Sequence, residues 1–233
     1  MKVIAINGSP RKNRNSATLL QKALEGAKSV GADIEINHLY DLNFKGCTSC
    51  FACKRKNSNH IGHCVVKDDL TSVLEKIKKC NVLLLGTPIY FANTTGAMQS
   101  FLERLLFPGH NYECQGMTTD LYQSLFPGKV SSGFIYTMNA PEDIHSLNIP
   151  EEFMKFYNYD CLFQIHKQLC GKILNGPSEF LLSQDTYQFD DYSQYKASRF
   201  DEKHKDQVKR EQYPIDCQKA FDMGARLAGA FLK

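Results

Sequence analysis

The amino-acid sequence predicts an α/β fold with a parallel sheet, and three observations lead to this prediction. Short apolar runs of strand length recur along the chain. Segments with apolar residues at helical spacing lie between them, which is typical of βαβ units. The chain has 233 residues, of which 23% are charged, so it suits one large domain with its own core and excludes global disorder.

Five segments are predicted to be strands. The first is an apolar run that ends at Gly8, as expected of a strand buried on both faces. The second alternates apolar and polar residues, the third is again continuously apolar, and the last is short. The predicted strands are residues 2–7, 34–39, 82–86, 129–136 and 180–182.

Helices are predicted after most of these strands from the spacing of apolar residues. They occupy residues 19–27, 70–77 and 96–106, and a final helix begins near Pro214. Asp68 or Asp69 is expected to cap the second of them. Residues 107–128 hold two Pro-Gly turns and are predicted to be an insertion. Residues 183–233, aromatic at first and then charged, are predicted to be a C-terminal extension of the same domain.

Charge and composition exclude several classes of partner. Counting 28 basic against 25 acidic residues gives a net charge of +3, which is too small to indicate nucleic-acid binding. Residues 1–60 hold ten Lys or Arg and four Asp or Glu, which favours a small anionic ligand or, alternatively, a solvated basic face. No apolar run approaches the ~20 residues of a membrane span, and no secretion signal is recognisable, so we expect a cytoplasmic protein without membrane contact.

The loop after the first predicted strand has the composition of a phosphate site. It enters a helix, where backbone N–H groups and the positive helix end attract anions. It lacks the Walker A and Gly-x-Gly-x-x-Gly patterns, which disfavours a triphosphate or pyrophosphate and favours a phosphate monoester. Ordinary helix capping is the alternative. The side chains proposed to hold the phosphate are Ser9, Arg11, Asn15, Ser16 and Thr18.

Two further loops follow predicted strands at the same edge of the sheet. Because Pro88 stiffens residues 86–96, we expect the N–H groups of residues 89–93 to face a ligand. Tyr90 and Phe91 could wall a flat aromatic ring and Asn93 could bind its polar edge; alternatively, this is a plain loop with two core aromatic residues. The loop at residues 137–141 is a weaker candidate for contact with the same ligand. The alternative is a polar turn that ends at a proline.

Nine cysteines without a secretion signal indicate metal or redox chemistry rather than disulfides. Cys47, Cys50 and Cys53 follow Cys-x-x-Cys-x-x-Cys, the spacing that lets one loop direct three thiolates at an iron–sulfur cubane. Cys64 could supply the fourth ligand. Zinc, with His60 or His63 replacing Cys64, and free thiols are the alternatives.

These motifs together resemble those of the flavodoxin-like NADPH-dependent FMN reductase family, and most closely its iron–sulfur flavoprotein branch. They are Gly-Ser-Pro-Arg leading to Asn-Ser-Ala-Thr, then Thr-Pro-Ile-Tyr-Phe, with the cysteine motif before Lys-Asp-Asp. The resemblance covers residues 1 to about 140. It implies a flavodoxin-like three-layer sandwich with a five-stranded parallel sheet, followed by a helical and aromatic C-terminal extension.

The resemblance also assigns roles to individual positions. It implies that the first loop holds the FMN phosphate and that later loops border the isoalloxazine ring. The ring-bordering positions are Pro88, Ile89, Tyr90, Phe91 and Asn93 on one side, with Thr137 and Asn139 on the other. It further implies dimers with the flavin near the subunit interface, NAD(P)H as co-substrate, and a [4Fe–4S] cluster at Cys47, Cys50, Cys53 and Cys64. No side chain is expected to be catalytic, because the flavin carries the hydride chemistry.

We therefore expect an FMN-dependent NAD(P)H oxidoreductase that passes electrons to a quinone, nitroaromatic, flavin or protein acceptor. One alternative is an iron–sulfur flavoprotein that takes electrons from a ferredoxin-like donor, and another is a flavin-binding regulatory module without turnover. The aromatic segment 187–195 is predicted to form a homodimer interface, because Tyr and Phe are enriched at interface cores. The alternative for this segment is an intramolecular lid over the flavin.

Overall fold

Five parallel strands form one sheet in the computed structural model, which describes residues 1–114, 116, 120–141 and 159–232. Their order is β2-β1-β3-β4-β5. The strands are β1 (Lys2–Asn7), β2 (Asp33–His38), β3 (Val82–Pro88), β4 (Ser131–Thr137) and β5 (Ser178–Ser183). This is the strand order of flavodoxin-like folds, and the predicted fold class is confirmed.

Helices cover both faces of the sheet and complete three layers. They are α1 (Asn15–Ser29), α2 (Leu70–Ile77), α3 (Gly96–Gly109), α4 (Tyr159–Ile173) and α5 (Glu202–Gly229). Successive side chains of a strand point to opposite faces, so Ile4 packs with α2, α3 and α4, whereas Ala5 packs with α1 and α5. None of the described helices is long and apolar enough to cross a membrane.

Helices α1 and α5 approach each other closely through two glycines. A Cβ atom added to Gly26 would lie 1.9 Å from the carbonyl oxygen of Phe221, and one added to Gly224 would lie 1.8 Å from that of Ala23. The absence of both side chains therefore lets the two backbones touch. This contact makes α5, predicted as part of an extension, an integral member of the α1 layer.

Helix α4 was not predicted, and the predicted start of α5 and end of α3 are wrong. Helix α5 begins at Glu202 rather than near Pro214, because Asp201 caps it by accepting hydrogen bonds from the N–H groups of Lys203 and His204. Pro214 lies on an exposed part of the helix, where water can bind the carbonyl that a proline leaves unpaired. Helix α3 continues to Gly109, so the predicted insertion 107–128 begins inside its last turn.

Strand order reverses between β1 and β3, because β2 lies on one side of β1 and β3 on the other. The loops after these two strands leave in different directions and open a crevice at the carboxyl edge of the sheet. The phosphate-type loop follows β1 and the Pro88 loop follows β3. The fold therefore places both loops at the position where α/β proteins of this kind bind ligands.

Candidate functional site

A cavity of about 470 Å³ lies at this carboxyl edge. The loops after β1, β3, β4 and β5 contribute to its wall. The predicted cofactor-binding residues that line it are Ser9, Arg11, Asn15, Ser16, Pro88, Ile89, Tyr90, Thr137 and Asn139. The structure thus brings together the three loops that the sequence analysis selected.

The loop between β1 and α1 is folded by short-range hydrogen bonds. The N–H of Ser9 donates to Asn7 Oδ1 at 3.0 Å, and the N–H of Arg11 donates to Ser9 Oγ at 3.2 Å. Helix α1 follows Arg14, whose side chain makes no capping bond, and its first turn holds no acidic residue. Side-chain capping, the alternative interpretation of this loop, is not observed here. The uncapped, positive end of α1 faces the cavity and suits an anion.

Thr18, also predicted to hold the phosphate, lies outside the cavity wall. Its side chain hydrogen-bonds to Tyr213 of α5, whose hydroxyl also donates to the carbonyl oxygen of Asn15 at 3.1 Å. Burial raises the pKa of Tyr213 above its usual value. In this structure Thr18 therefore contributes to the packing of α1 on α5.

The loop after β3 makes a tight turn. Tyr90 and Asn93 exchange two backbone hydrogen bonds of 2.8 and 3.0 Å, and Phe91 and Ala92 between them have φ angles of 48° and 61°. Two successive residues with positive φ are typical of a type I′ turn. Tyr90 lines the cavity, whereas Phe91 stands fully exposed at the tip of the turn.

This turn contradicts part of the prediction for the loop. The N–H groups of Tyr90 and Asn93 are used within the turn, and that of Ile89 donates to the carbonyl oxygen of Thr137 at 2.9 Å. They are therefore not available to a ligand. The side chain of Asn93 accepts a hydrogen bond from the N–H of Thr94, and neither Asn93 nor Phe91 lines the cavity.

The loop after β4 contributes an unpaired acceptor. Asn139 lines the cavity and donates through Nδ2 to Gln188 Oε1 at 2.6 Å. Its Oδ1 is buried and has no hydrogen-bond partner among the described residues. Because a buried polar atom without a partner is costly, this oxygen is an available acceptor for an N–H group of a bound ligand.

The aromatic segment after β5 covers the first loop. Asn15 Nδ2 donates to the carbonyl oxygen of Tyr187 at 2.9 Å, and Arg11 Nη1 donates to that of Gln188 at 2.7 Å. Arg14 forms an ion pair of 2.5 Å with Asp190, which holds the pKa of that carboxyl below its usual value. These contacts lie within one chain, as expected from the alternative interpretation of the segment as a lid. Its role in a homodimer stays a prediction.

Several cavity residues were missed by the sequence analysis. They are Arg14, Met138, Thr186, Tyr187, Gln188, Phe189, Asp190 and Tyr195. Arg14 could have been selected as a second cation of the same loop. Met138 lies in the loop 137–141 that the sequence analysis selected. The others follow β5, and only the tertiary structure shows that this segment folds back over α1; from the sequence, a lid was only the alternative to a homodimer interface.

The four predicted metal-binding cysteines, Cys47, Cys50, Cys53 and Cys64, line one small cavity of about 20 Å³ beside α3. Cys47 and Cys50 are exposed, whereas burial raises the pKa of the Cys53 thiol. Among the described residues, no group of three or more Cys, His, Asp or Glu side chains is arranged to hold a metal ion. The fold thus brings the four cysteines to one place without placing them in ligand geometry.

Arg104 of α3 anchors the fourth cysteine. Its side chain is fully buried, and Nε donates to Cys64 Sγ at 3.2 Å. Nη1 and Nη2 bind both oxygens of Asp68, at 2.6 and 3.1 Å, and the carbonyl oxygens of Lys45 and Val66. All five N–H donors of the guanidinium therefore have an acceptor, which fixes Cys64 against the loop.

Comparison with known proteins identifies the family. The profile of the NADPH-dependent FMN reductases matches residues 1–119, which is half of the chain and includes the first loop, the cysteines and the Pro88 loop. The chain belongs to the NADPH-dependent FMN reductase family. The residues fit the FMN that this family name implies, since the uncapped end of α1 can receive a phosphate and Asn139 Oδ1 offers a free acceptor.

Curated relatives carry two kinds of name. An "Iron-sulfur flavoprotein" of Archaeoglobus fulgidus is 42% identical over 104 residues, which are 45% of this chain and 48% of that protein. A "Putative NAD(P)H-dependent FMN-containing oxidoreductase YwqN" of Bacillus subtilis is 28% identical over 106 residues, or 45% and 51% of the two chains. The chain thus spans about half the length of the curated relatives it matches.

Solved structures share the fold over nearly the whole chain. An NAD(P)H:quinone oxidoreductase from Methanothermobacter marburgensis superposes with a TM-score of 0.62 at 15% identity, covering 97% of this chain and 96% of that one. An FMN-dependent NADH-azoreductase from Bacillus anthracis, in complex with FMN, superposes with a TM-score of 0.56 at 11% identity, covering 97% and 99%. At these identities the likeness establishes the flavodoxin-like fold alone.

Proposed function

We propose that this protein is an FMN-dependent NAD(P)H oxidoreductase. The observation that carries the proposal is the cavity at the carboxyl edge, which combines a phosphate-type helix end with a wall suited to a flat ring. Its volume, about 470 Å³, lies within the range of small-molecule sites. FMN, when bound, supplies the centre that accepts a hydride from the nicotinamide.

Different residues of the cavity would bind the phosphate and the ring of FMN. Ser9, Ser16 and Arg11 would hold the phosphate together with the first turn of α1. Tyr90 would border the ring from the loop after β3, and Asn139 Oδ1 would accept a hydrogen bond from its polar edge. The described wall needs no titrating side chain for this chemistry, because the protein only positions the reacting ring and excludes water.

For the electron acceptor we propose a set of chemical classes. Electrons would pass to a quinone, a nitroaromatic compound, a second flavin or a redox protein. Support comes from the names of relatives and of structurally similar proteins, which include an NAD(P)H:quinone oxidoreductase and an NADH-azoreductase. The open side of the cavity, beside the half-exposed Tyr90, would admit the nicotinamide and the acceptor in turn.

The test is steady-state oxidation of NADPH and of NADH by the FMN-loaded protein, with a quinone, a nitroaromatic compound or free flavin as acceptor. We expect turnover with at least one donor. A protein that binds FMN tightly but oxidises neither donor would instead be an electron carrier or a regulatory module. A protein that does not bind FMN would overturn the proposal altogether.

A second candidate function is electron transfer through an iron–sulfur cluster, from a ferredoxin-like donor to the flavin. Two observations favour it: the four cysteines line one cavity, and relatives at 28–42% identity are named iron–sulfur flavoproteins. A small opening of the loop would be required, since a cavity of about 20 Å³ holds little more than a water molecule. Arg104 and Lys54 would offset the negative charge of such a cluster.

Iron and acid-labile sulfide, measured after anaerobic purification and reconstitution, test this candidate. About four of each per chain are expected for a cubane cluster. The content should fall sharply in C50A and stay unchanged in C217A, whose thiol lies on α5 away from the cavity. Trace amounts in the unmodified protein would leave an FMN reductase with free thiols.

A further inference from the structure

A buried ammonium group lies behind the wall of the cavity. Lys205, in the first turns of α5, is only 2% exposed. Its Nζ donates to the carbonyl oxygen of Asn139 at 2.6 Å and to one carboxylate oxygen of Asp185. The other oxygen of Asp185 lies 2.7 Å from Nε2 of His204. A charge taken so far out of water persists only where its partners are fixed, so this cluster is rigid.

This ammonium joins two loops of the cavity. Asn139 follows β4, and Asp185 follows β5. Asp185 has a φ of 53°, a left-handed conformation that costs energy for a residue other than glycine. Its N–H donates to the carbonyl oxygen of Ala140 at 2.9 Å, and the N–H of Thr186 donates to that of Met138 at 3.0 Å. Lys205 and these bonds fix the point and the direction in which the next residues leave the sheet.

Those residues form a strap, Thr186–Asp190, which crosses the cavity to the first loop. Asn15 holds the strap at Tyr187, Arg11 at Gln188 and Arg14 at its last residue, Asp190, and these three side chains of the first loop are exposed or half-buried. Asn139 links Lys205 to the middle of the strap, since its backbone oxygen binds Lys205 and its side chain binds Gln188. The strap therefore has one buried, charged attachment at Asp185 and several more exposed attachments to the first loop, of which the Arg14–Asp190 ion pair is weakened by water and salt.

We propose that Lys205 is a positioning residue that holds the strap as a lid over the bound nucleotide and thereby sets how fast the nucleotide dissociates. This proposal rests on FMN binding in the cavity. The lid opens at its exposed end, where Arg14 and Asp190 separate, and turns about its fixed end at Asp185. A strap with no fixed end would leave the flavin site open to water.

The first experiment measures the dissociation rate of FMN by stopped-flow fluorescence, because free flavin is brighter than bound flavin. We expect K205M to release FMN at least tenfold faster than the unmodified protein, and K205R to restore slow release. The matched control is K203M, an exposed lysine two positions earlier on the same helix, which should release FMN at the normal rate. D190N, which removes the ion pair with Arg14 and leaves Lys205 and Asp185 in place, should give a smaller increase.

The second experiment measures how accessible the strap is to a protease, by limited digestion with chymotrypsin in the absence and in the presence of FMN. Cleavage after Tyr187 and Phe189 should be slow in the unmodified protein and slower with FMN, and fast in K205M under both conditions. If K205M fails to fold, the same two measurements are made on D190N and R14Q, which lack the Arg14–Asp190 ion pair at the exposed end of the strap. We expect both variants to release FMN faster and to be cleaved faster.

The outcomes separate the two proposals. An unmodified protein that does not bind FMN overturns the proposed function. An unmodified protein that binds FMN, together with folded K205M and D190N variants that release it no faster, overturns the lid alone. Tighter FMN binding in D190N would also overturn it, since the strap would then compete with the phosphate for the first loop.

Discussion

The hydroxyl oxygens of Ser16 and Thr137 lie 2.6 Å apart in a buried hydrogen bond, although 121 positions separate the two residues. Ser16 is the second residue of α1, behind the first loop, and Thr137 ends β4. Their bond connects the phosphate side of the cavity to its ring side. One hydroxyl donates to the other, so the proton of the accepting hydroxyl remains free for a ligand. That free proton belongs to Ser16 when Thr137 is the donor.

This arrangement predicts that S16A weakens binding of FMN by about 10- to 100-fold, since a hydrogen bond to a charged group contributes about 1.5–3 kcal/mol. Riboflavin lacks the phosphate and is the control ligand. Its affinity should change little in S16A, whereas both ligands should weaken equally if Ser16 acts only by holding Thr137. Fluorescence titration of both flavins measures the difference.

Replacement of Arg104 should lower stability strongly. In R104M the carboxylate of Asp68 loses its cation, and the carbonyl oxygens of Lys45 and Val66 each lose a donor. Asp68 keeps the N–H of Leu70 as a donor, and Val66 keeps the hydroxyl of Thr71. Breaking a buried ion pair by removing one member costs about 3–5 kcal/mol. Urea unfolding should show a loss of this order. R226M removes the exposed pair with Glu179 and should cost less than about 1 kcal/mol; a similar loss in both variants would contradict the role of Arg104.

His166 makes stability depend on pH. It is buried on α4, its Nδ1 lies 2.9 Å from the hydroxyl of Tyr136, and burial lowers its pKa to about 4. The unfolded chain takes up the proton near the ordinary pKa of about 6.5, so between these values the unfolded state binds more protons. This contribution to stability is complete above pH about 6.5 and is lost as pH falls towards 4, by at most about 1.4 kcal/mol per pH unit.

The H166Q variant tests this dependence. Gln keeps an acceptor for the Tyr136 hydroxyl but does not titrate, so its free energy of unfolding should fall less steeply between pH 6.5 and 4. The matched control is H60Q, which replaces an exposed histidine and should keep the slope of the unmodified protein. Identical slopes in H166Q and the unmodified protein would show that folding does not lower the pKa of His166.

We expect Phe91 to lie in the interface of the predicted homodimer. It is fully exposed at the tip of a tight turn beside the cavity, and an exposed aromatic residue on a rigid turn suits an interface core. F91S should shift a dimer to monomer in light scattering at micromolar concentration without changing the melting temperature. L232S, which replaces another exposed apolar residue, should leave the mass unchanged. A monomeric unmodified protein would exclude the dimer itself.

Local sequence patterns were sufficient to predict most of the strands and helices. Continuous apolar runs such as that of β3 identify buried strands, because parallel strands are covered on both faces. Helix boundaries were less certain. The charged first half of α5 shows little apolar periodicity, and Pro214 suggested a start where the helix in fact continues. There a single cap, Asp201, outweighed the sequence pattern.

The sequence by itself determined the five strands, all helices except α4, the phosphate-type loop and the Cys-x-x-Cys-x-x-Cys motif, because each depends on residues that are near neighbours in the chain. The tertiary structure alone decided that the strap lies on Arg11 and Arg14, that Arg104 holds Cys64, and that Lys205 is buried against Asp185. These contacts join segments 20–177 positions apart. No local periodicity encodes them, because they form only when strand order and helix packing bring distant side chains into reach.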